Sequence, residues 1–286
     1  MNIKISVITP TYNRAHLLER CYRSLCEQEF DEFEWIVVDD GSSDNTKEVV
    51  QSFLKENKII VRYIYQLNSG KHVAHNSGIE VASGELSVCL DSDDYFTKNA
   101  LLRAWTLWEN ASEKNIGIIG KRGDAEENAI CGEFPKGVQE CSMYDLNNLY
   151  HFWGDTVLFF RTGLLKENKF PVFNEEKFIP ETALYYILDK VGTMLIADEV
   201  MYIGEYQSDG LTSKYHKLLT NNPIGTTYTY FLSLQLANRW VDKLRFSILT
   251  AAYWKTECRQ YFNIPIKVWI FRPIGWLYRK IRLENL

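Results

Sequence analysis

The chain has 286 residues, 46% hydrophobic and 24% charged, the balance of a globular protein long enough to bury a sizeable core. No apolar run of about 18 residues is present to span a bilayer, and "MNIKISVITPTYNR" lacks the apolar core and small-residue cleavage site of a signal peptide, so neither is expected. The six cysteines are scattered without a CxxC pair, which favours reduced thiols in a cytoplasmic protein over a disulfide framework or a zinc site. The net charge of −5 hides an asymmetry: residues 239–286 hold ten Lys/Arg against three Asp/Glu, and the rest holds 22 against 34. An acidic body with a basic, aromatic tail suits work beside an anionic surface; nucleic acid is not an expected partner.

In chain order, "IKISVIT" (3–9) reads as a buried strand, and 14–28 repeats its apolar residues at helical spacing. "FEWIVVDD" (33–40) is a second strand, followed by a helix that Ser43 or Asp44 can cap. "IIVRYIYQ" (59–66) is a third strand, 72–83 a helix, and "LSVCLD" (86–91) a fourth strand. Strands alternating with helices predict a doubly wound α/β sheet, mostly parallel, whose ligand site lies at the carboxyl ends of the strands. From 120 to 180 the pattern loosens, and "KRGDAEENAICGEFPKG" reads as a loop or short hairpin. A strand is expected over 155–162, a helix over 181–192 ended by Gly192, further strand within "TMLIADEVMYIGEY", and largely helix over 220–262.

Three polar motifs fall at the predicted strand ends. "LDSDDYF" (90–96) places Asp91, Asp93 and Asp94 together; hard cations such as Mg²⁺ or Mn²⁺ prefer such oxygen ligands, completing their shell with phosphate. The competing reading is a solvated turn capping a helix near Thr97. "VVDDGSSDNT" (37–46) places Asp40 where it can accept a uracil N–H beside a Gly-Ser turn; a capped turn explains Gly41, Ser43 and Asp44 but leaves the Asp39–Asp40 pair unexplained. In "GKHVAHNSGIEVASGE" (70–85), Lys71 at a helix start can meet a phosphate or base edge, while His72 and His75 are expected as surface or core histidines.

Together with "SVITPTYNRAHLLERCYRSL", these stretches resemble the family 2 glycosyltransferases of GT-A fold over residues 3–100; "FPVFNEEKFIPETALYYIL" and "YIGEYQSDGLTSK" are similar to a bacterial subgroup making capsular and exopolysaccharides. The resemblance implies a nucleotide-sugar donor, expected to be a UDP-sugar, Mn²⁺ or Mg²⁺ on its diphosphate at a DXD motif, and inverting transfer to an acceptor hydroxyl. It implies that Thr9, Tyr12, Asp40, Lys71, Asp91 and Asp93 border the nucleotide-sugar, and that Asp93 and Asp94 serve the metal; two overlapping readings of the motif leave open which aspartate touches it. The catalytic domain would span 1–215, with a nucleotide half of about 1–100 and an acceptor half of about 101–215, followed by a helical extension over 216–286.

Inversion needs a base opposite the leaving diphosphate, and a carboxylate suits. Glu175, Glu176 and Glu181 are the candidates. Family members commonly open a helix here with a Glu-Asp pair shortly before a Gly; Gly192 lies eleven residues past Glu181, which points to Glu181, with Glu176 as the alternative because Pro180 replaces the first acid. A glutamate favoured by the helix dipole is the bland reading. Trp153 and Asp155 are candidates to line the acceptor. The tail 264–286 interleaves Lys267, Arg272, Arg279, Lys280 and Arg282 with Trp269, Phe271, Trp276 and Tyr278, split by Pro273 and Gly275. That composition suits a peripheral segment on the inner face of the plasma membrane, where a lipid-linked saccharide acceptor would lie; the alternative is packing on the body or in a homo-oligomer. Competing functions are a nucleotidyltransferase acting on sugar phosphates, disfavoured because "TPTYNRAH" has no glycine, and a non-catalytic sugar-binding homologue.

Overall fold

The computed structural model describes residues 2–174, 176–204 and 214–282. Strands β1 (Ile5–Thr11) and β2 (Phe33–Asp39) are buried along their whole length, as continuous apolar runs between two helical layers should be. β1 pairs in parallel with β2 and with β4 (Leu86–Cys89), and β2 pairs in parallel with the more exposed β3 (Ile60–Tyr65). Helices α1 (Ala15–Cys26), α2 (Thr46–Glu56) and α3 (Lys71–Val81) make the crossovers. On α1 the residues Leu18, Cys21, Tyr22 and Leu25 are buried at i, i+3, i+4, i+7 spacing. The Tyr22 ring stacks on Phe53 of α2 at 4.1 Å and on Trp35 of β2 at 5.9 Å; such pairs are each worth about 0.5–1.5 kcal/mol beyond burial.

The chain continues through β5 (Asp94–Phe96), α4 (Ala100–Trp108), β6 (Asn115–Gly123), β7 (Glu140–Cys141), α5 (Met143–Asn148), β8 (Thr156–Arg161) and α6 (Thr162–Glu167). After α7 (Thr182–Leu188), β9 (Thr193–Gly204) completes a sheet of order β3-β2-β1-β4-β8-β6-β9-β5, with β7 on β9. The sheet is parallel through β3-β2-β1-β4 and mixed beyond it: β8 runs antiparallel to both β4 and β6, and β9 is parallel to β6 but antiparallel to β5. The expected hairpin follows β6, where Asp124 Oδ1 accepts the N–H groups of Glu126 and Asn128, and Gly123 bridges Ala129.

The described residues form two compact units, the sheet with its helices and a second unit that takes Phe170–Lys190 together with the C-terminal helices. That division falls elsewhere than the 215/216 boundary read from the sequence, because α7 packs on α9 (Pro223–Leu236). The helix expected over 181–192 is also shorter, ending at Leu188. The second unit further contains α8 (Tyr215–Asn221), α10 (Trp240–Tyr253), α11 (Ile266–Trp269) and α12 (Arg272–Arg282). The break in the tail lies before Pro273, which sits in the first turn of α12, where its missing N–H costs no intrahelical bond. Among the described residues no helix is long and apolar enough to cross a membrane.

Candidate active site

The order β3-β2-β1-β4 reverses the direction of winding between β1 and β4, and the carboxyl ends of these strands carry the motifs. Past β4 the chain turns sharply, the Asp94 N–H donating to the Asp91 carbonyl at 3.0 Å. That turn gathers Asp91, Asp93 and Asp94, each offering a carboxylate oxygen within 4.8 Å of the others. Asp91 takes Lys71 Nζ at 2.7 Å, and Asp93 takes Arg14 Nη1 at 2.6 Å. Lys71, the first residue of α3, thus meets a carboxylate of the cluster.

Asp94 differs from the other two. It is buried, its Oδ2 accepts the Tyr202 hydroxyl, and its Oδ1 has no hydrogen-bond partner although it is shut away from water. Arg122 Nη2 stands 3.7 Å from Oδ1, within ion-pair range. Burial, reinforced by the charge of Asp91, pushes the Asp94 carboxyl up to about 7 against the pull of Tyr202 and Arg122. An orphaned buried oxygen beside two further carboxylates is the half-shell a hard divalent cation requires, so the residues present fit Mn²⁺ or Mg²⁺.

The acidic pair at the end of β2 has a structural account that the sequence did not offer. Asp39 accepts the Ser42 N–H at 2.8 Å and the Tyr63 hydroxyl at 2.7 Å. Asp40 is buried and accepts Gln66 Nε2, the Ser69 N–H and the Gly70 N–H at 2.7–2.9 Å, which shapes the loop into α3. A carboxylate has about four acceptor positions, so Asp40 keeps room on Oδ2 for one more donor. Gly41 turns at φ +84°, and a Cβ there would stand 2.8 Å from the Asn68 nitrogen, so only glycine lets these two loops close on one another.

The neighbouring loops are stitched together. Asn13, at φ 53°, accepts the Ser43 N–H at 2.7 Å and donates its own N–H to Ser42 Oγ at 2.9 Å. Asp44 accepts the Ala15 N–H at the start of α1 and the Thr46 N–H at the start of α2. Tyr12 is exposed beside this clamp, whereas Thr9 is fully buried and its hydroxyl accepts Trp35 Nε1 at 2.8 Å, so it offers no side chain to the surface. His72 and His75 are buried on α3, and burial holds them down to about 4 and about 3.

Trp153 is exposed and packs beside Gly132, whose N–H donates to the Trp153 carbonyl at 2.8 Å. Asp155 pairs with Arg122 Nη1, so the same guanidinium that faces Asp94 ties Asp155 to the acidic cluster. Arg14, Arg122 and Tyr202 were not singled out in the sequence. Arg122 had a usable signal, a charged residue ending an apolar strand, which requires a carboxylate partner; Tyr202 had none.

In the second unit, Glu181 is exposed at the head of α7 and accepts the Tyr185 hydroxyl at 3.1 Å. Glu176 is buried and accepts the N–H groups of Ile224 and Gly225, both at 2.7 Å, where α9 begins. Its carboxylate serves as the anionic partner of that helix end, and burial holds its pKa above the usual carboxylate value. Glu175 and the stretch around 205–213 lie outside the described residues.

A sheet with polar loops gathered at its switch point and an acidic half-shell after β4 defines a GT-A glycosyltransferase. The family model "Glycosyl transferase family 2" matches residues 6–164, and the chain belongs to that family. Among curated relatives, a GalNAc(5)-diNAcBac-PP-undecaprenol beta-1,3-glucosyltransferase of Campylobacter jejuni is 31% identical over 266 residues, covering 91% of this chain and 81% of that protein. The fold also matches residues 1–349 of S. aureus TarS in complex with UDP (TM-score 0.64, 21% identity, 99% of this chain and 89% of the other). A mannosyltransferase from Pyrobaculum calidifontis in complex with GDP-Man and Mn2+ matches with TM-score 0.59 at 14% identity, over 99% of this chain and 82% of that one.

Proposed function

We propose that this glycosyltransferase moves a sugar, with inversion, from a UDP-sugar to a hydroxyl of a lipid-linked saccharide acceptor in bacterial surface polysaccharide synthesis. The observation that carries the metal-dependent part of the reading is Asp94 Oδ1, buried and without a hydrogen bond inside a three-carboxylate cluster. Mn²⁺ or Mg²⁺ held by Asp93 and Asp94 would neutralise charge growing on the departing diphosphate. Lys71, ion-paired with Asp91, and Tyr12, exposed after β1, are assigned to the nucleotide half, about 1–100, together with Asp40, which shapes the loop into α3. Trp153 and Asp155 are assigned to the acceptor half, within a catalytic domain of 1–215 extended by the helices of 216–286. Glu181 is assigned as the base that takes the acceptor proton, since Glu176 is occupied at the start of α9. The UDP complex of TarS supports the donor class, and the undecaprenol-linked substrate named for the Campylobacter relative supports the acceptor class.

The test is calorimetric titration of UDP and of GDP into the protein with and without Mn²⁺. UDP should bind more tightly than GDP and only weakly without metal, and Asp94→Asn should abolish the metal dependence. Equal affinities with and without Mn²⁺ would sink the metal assignment, and a preference for GDP would sink the donor class.

A further inference from the structure

Helix α12 presents outward the kind of stripe that a helix ordinarily turns inward. Its seat is set by Gly275, which is buried against α10: a Cβ there would stand 2.8 Å from the Ala252 nitrogen and 3.0 Å from the Ala251 carbonyl carbon. Any larger residue would hold the two helices apart. With Gly275 facing α10, Ile274, Leu277, Tyr278 and Ile281 recur at i, i+3, i+4, i+7, the spacing that aligns side chains on one face. Ile274 and Leu277 are each 50% exposed, Ile281 57% and Tyr278 36%. Contact with α10 is made through the glycine side, with Tyr278 and Arg279 near Tyr253, while Ile274 and Leu277 stay half-exposed.

The borders of the stripe carry its second signal. Trp276 is 62% exposed, with Lys280 Nζ 5.2 Å above its ring. Every charged residue of α12 is basic, Arg272, Arg279, Lys280 and Arg282, with no Asp or Glu between them. An apolar stripe, an indole beside it and uniformly positive charge together match a surface that is apolar within and anionic at its boundary. A second copy meeting the same face in a twofold arrangement would set these basic residues against their own images.

We propose that α12 is an interfacial docking helix for an anionic lipid surface, with Ile274, Leu277 and Ile281 at the acyl boundary and Trp276 and Lys280 at headgroup level. The proposal deepens, and for its purpose rests on, the reading that the acceptor is lipid-linked. Attraction of this kind combines burial of the stripe, which salt leaves intact, with charge attraction, which salt screens.

The experiment is co-sedimentation of the full chain with vesicles of phosphatidylglycerol and phosphatidylcholine, and of phosphatidylcholine alone, at low and high salt, with sedimentation velocity in parallel. The parent chain should partition onto the anionic vesicles and be partly released by salt. Leu277→Asp should lower partitioning by at least about tenfold, the order expected for keeping one leucine side chain out of an apolar phase. Lys280→Gln should weaken binding at low salt only. Should Leu277→Asp lose its helical circular dichroism, Ile274→Ser replaces it as the stripe variant. Indifference to vesicle charge, or stripe variants that partition like the parent, would overturn the proposal. So would a parent dimer that the stripe variant converts to monomer, which would assign the face to a second copy. The vesicles contain neither donor nor acceptor, so the two readings fail separately. Vesicle binding by a chain that turns over no UDP-sugar would overturn the proposed function alone, and turnover without vesicle binding would overturn this one alone.

Discussion

The Tyr202 hydroxyl donates to Asp94 Oδ2 at 2.5 Å, linking β9 to β5 through two buried side chains. This bond satisfies Oδ2 and leaves Oδ1 with no hydrogen bond, facing Arg122 at 3.7 Å. Tyr202→Phe removes the hydroxyl and keeps the ring that packs edge-on against Phe96. We predict a roughly 10–100-fold loss of Mn²⁺ affinity, the usual effect of removing a group that orients a metal ligand, with a stability loss of about 1–3 kcal/mol from the unpaired Asp94 oxygen. Paramagnetic resonance titration of Mn²⁺ measures it; unchanged affinity would show that Asp94 needs no such support.

Two glutamates near the head of α7 should part company when mutated. Glu181→Gln preserves size but not basicity, so turnover is predicted to fall roughly 10²-fold or more while UDP binding holds. Glu176→Ala strips the N–H groups of Ile224 and Gly225 of their partner and is predicted to cost on the order of 1–3 kcal/mol of stability. Paired measurements of turnover and thermal unfolding decide the assignment. A stable, inactive Glu176→Gln beside an active Glu181→Gln would reverse the roles.

Acid should weaken the fold through α3. His72 and His75 titrate at about 4 and about 3 in the folded chain, below the ordinary value of 6.5. The unfolded chain therefore binds more protons between these values and 6.5, and stability falls as pH drops through that window, by about 1.4 kcal/mol per unit for each histidine. Asp94 works the other way: raised to about 7, it favours the folded state at low pH and loses that contribution as pH rises from 3.8 through 7. Glu176, also raised by burial, opposes the histidines as well, so the difference between proteins is the test: Asp94→Asn should lose stability more steeply than the parent from pH 6.5 to 4. A flat profile in both proteins would contradict the burial of these groups.

Replacing Asp40 should act through the loop before α3 more than through direct contact with a ligand. Asp40→Asn keeps one acceptor but turns an N–H₂ either toward the Gly70 N–H or toward the Ser69 N–H and Gln66 Nε2. We predict a stability loss of about 1–2 kcal/mol together with weaker UDP binding. Weaker UDP binding at full stability would instead identify Asp40 as a direct base partner.

The first four strands and three helices were legible because each apolar run is bounded by its own turn residues, and local spacing is what a sequence displays. The acidic cluster was legible for the same reason, as Asp91, Asp93 and Asp94 lie side by side. The direction of β8 was not, since a strand buried on both faces has the same apolar run whether parallel or antiparallel. Nor were the partners of Asp39 and Asp40, which come from Tyr63, Gln66, Ser69 and Gly70 on the next crossover. Glu176 illustrates the limit most clearly. In sequence it reads as the alternative to Glu181 for the base, whereas in the fold it accepts the backbone N–H groups of Ile224 and Gly225, 48 and 49 residues away.

The clamp among Asn13, Ser42, Ser43 and Asp44 makes the rim around Tyr12 a single preassembled surface. Loops tied to one another by folding have little freedom left to lose when a nucleotide arrives. Recognition at this rim is therefore expected to be a one-step encounter: stopped-flow association of a fluorescent UDP analogue should be single-exponential, with a rate linear in concentration. A rate that levels off would reveal a loop that still has to order after the nucleotide has landed.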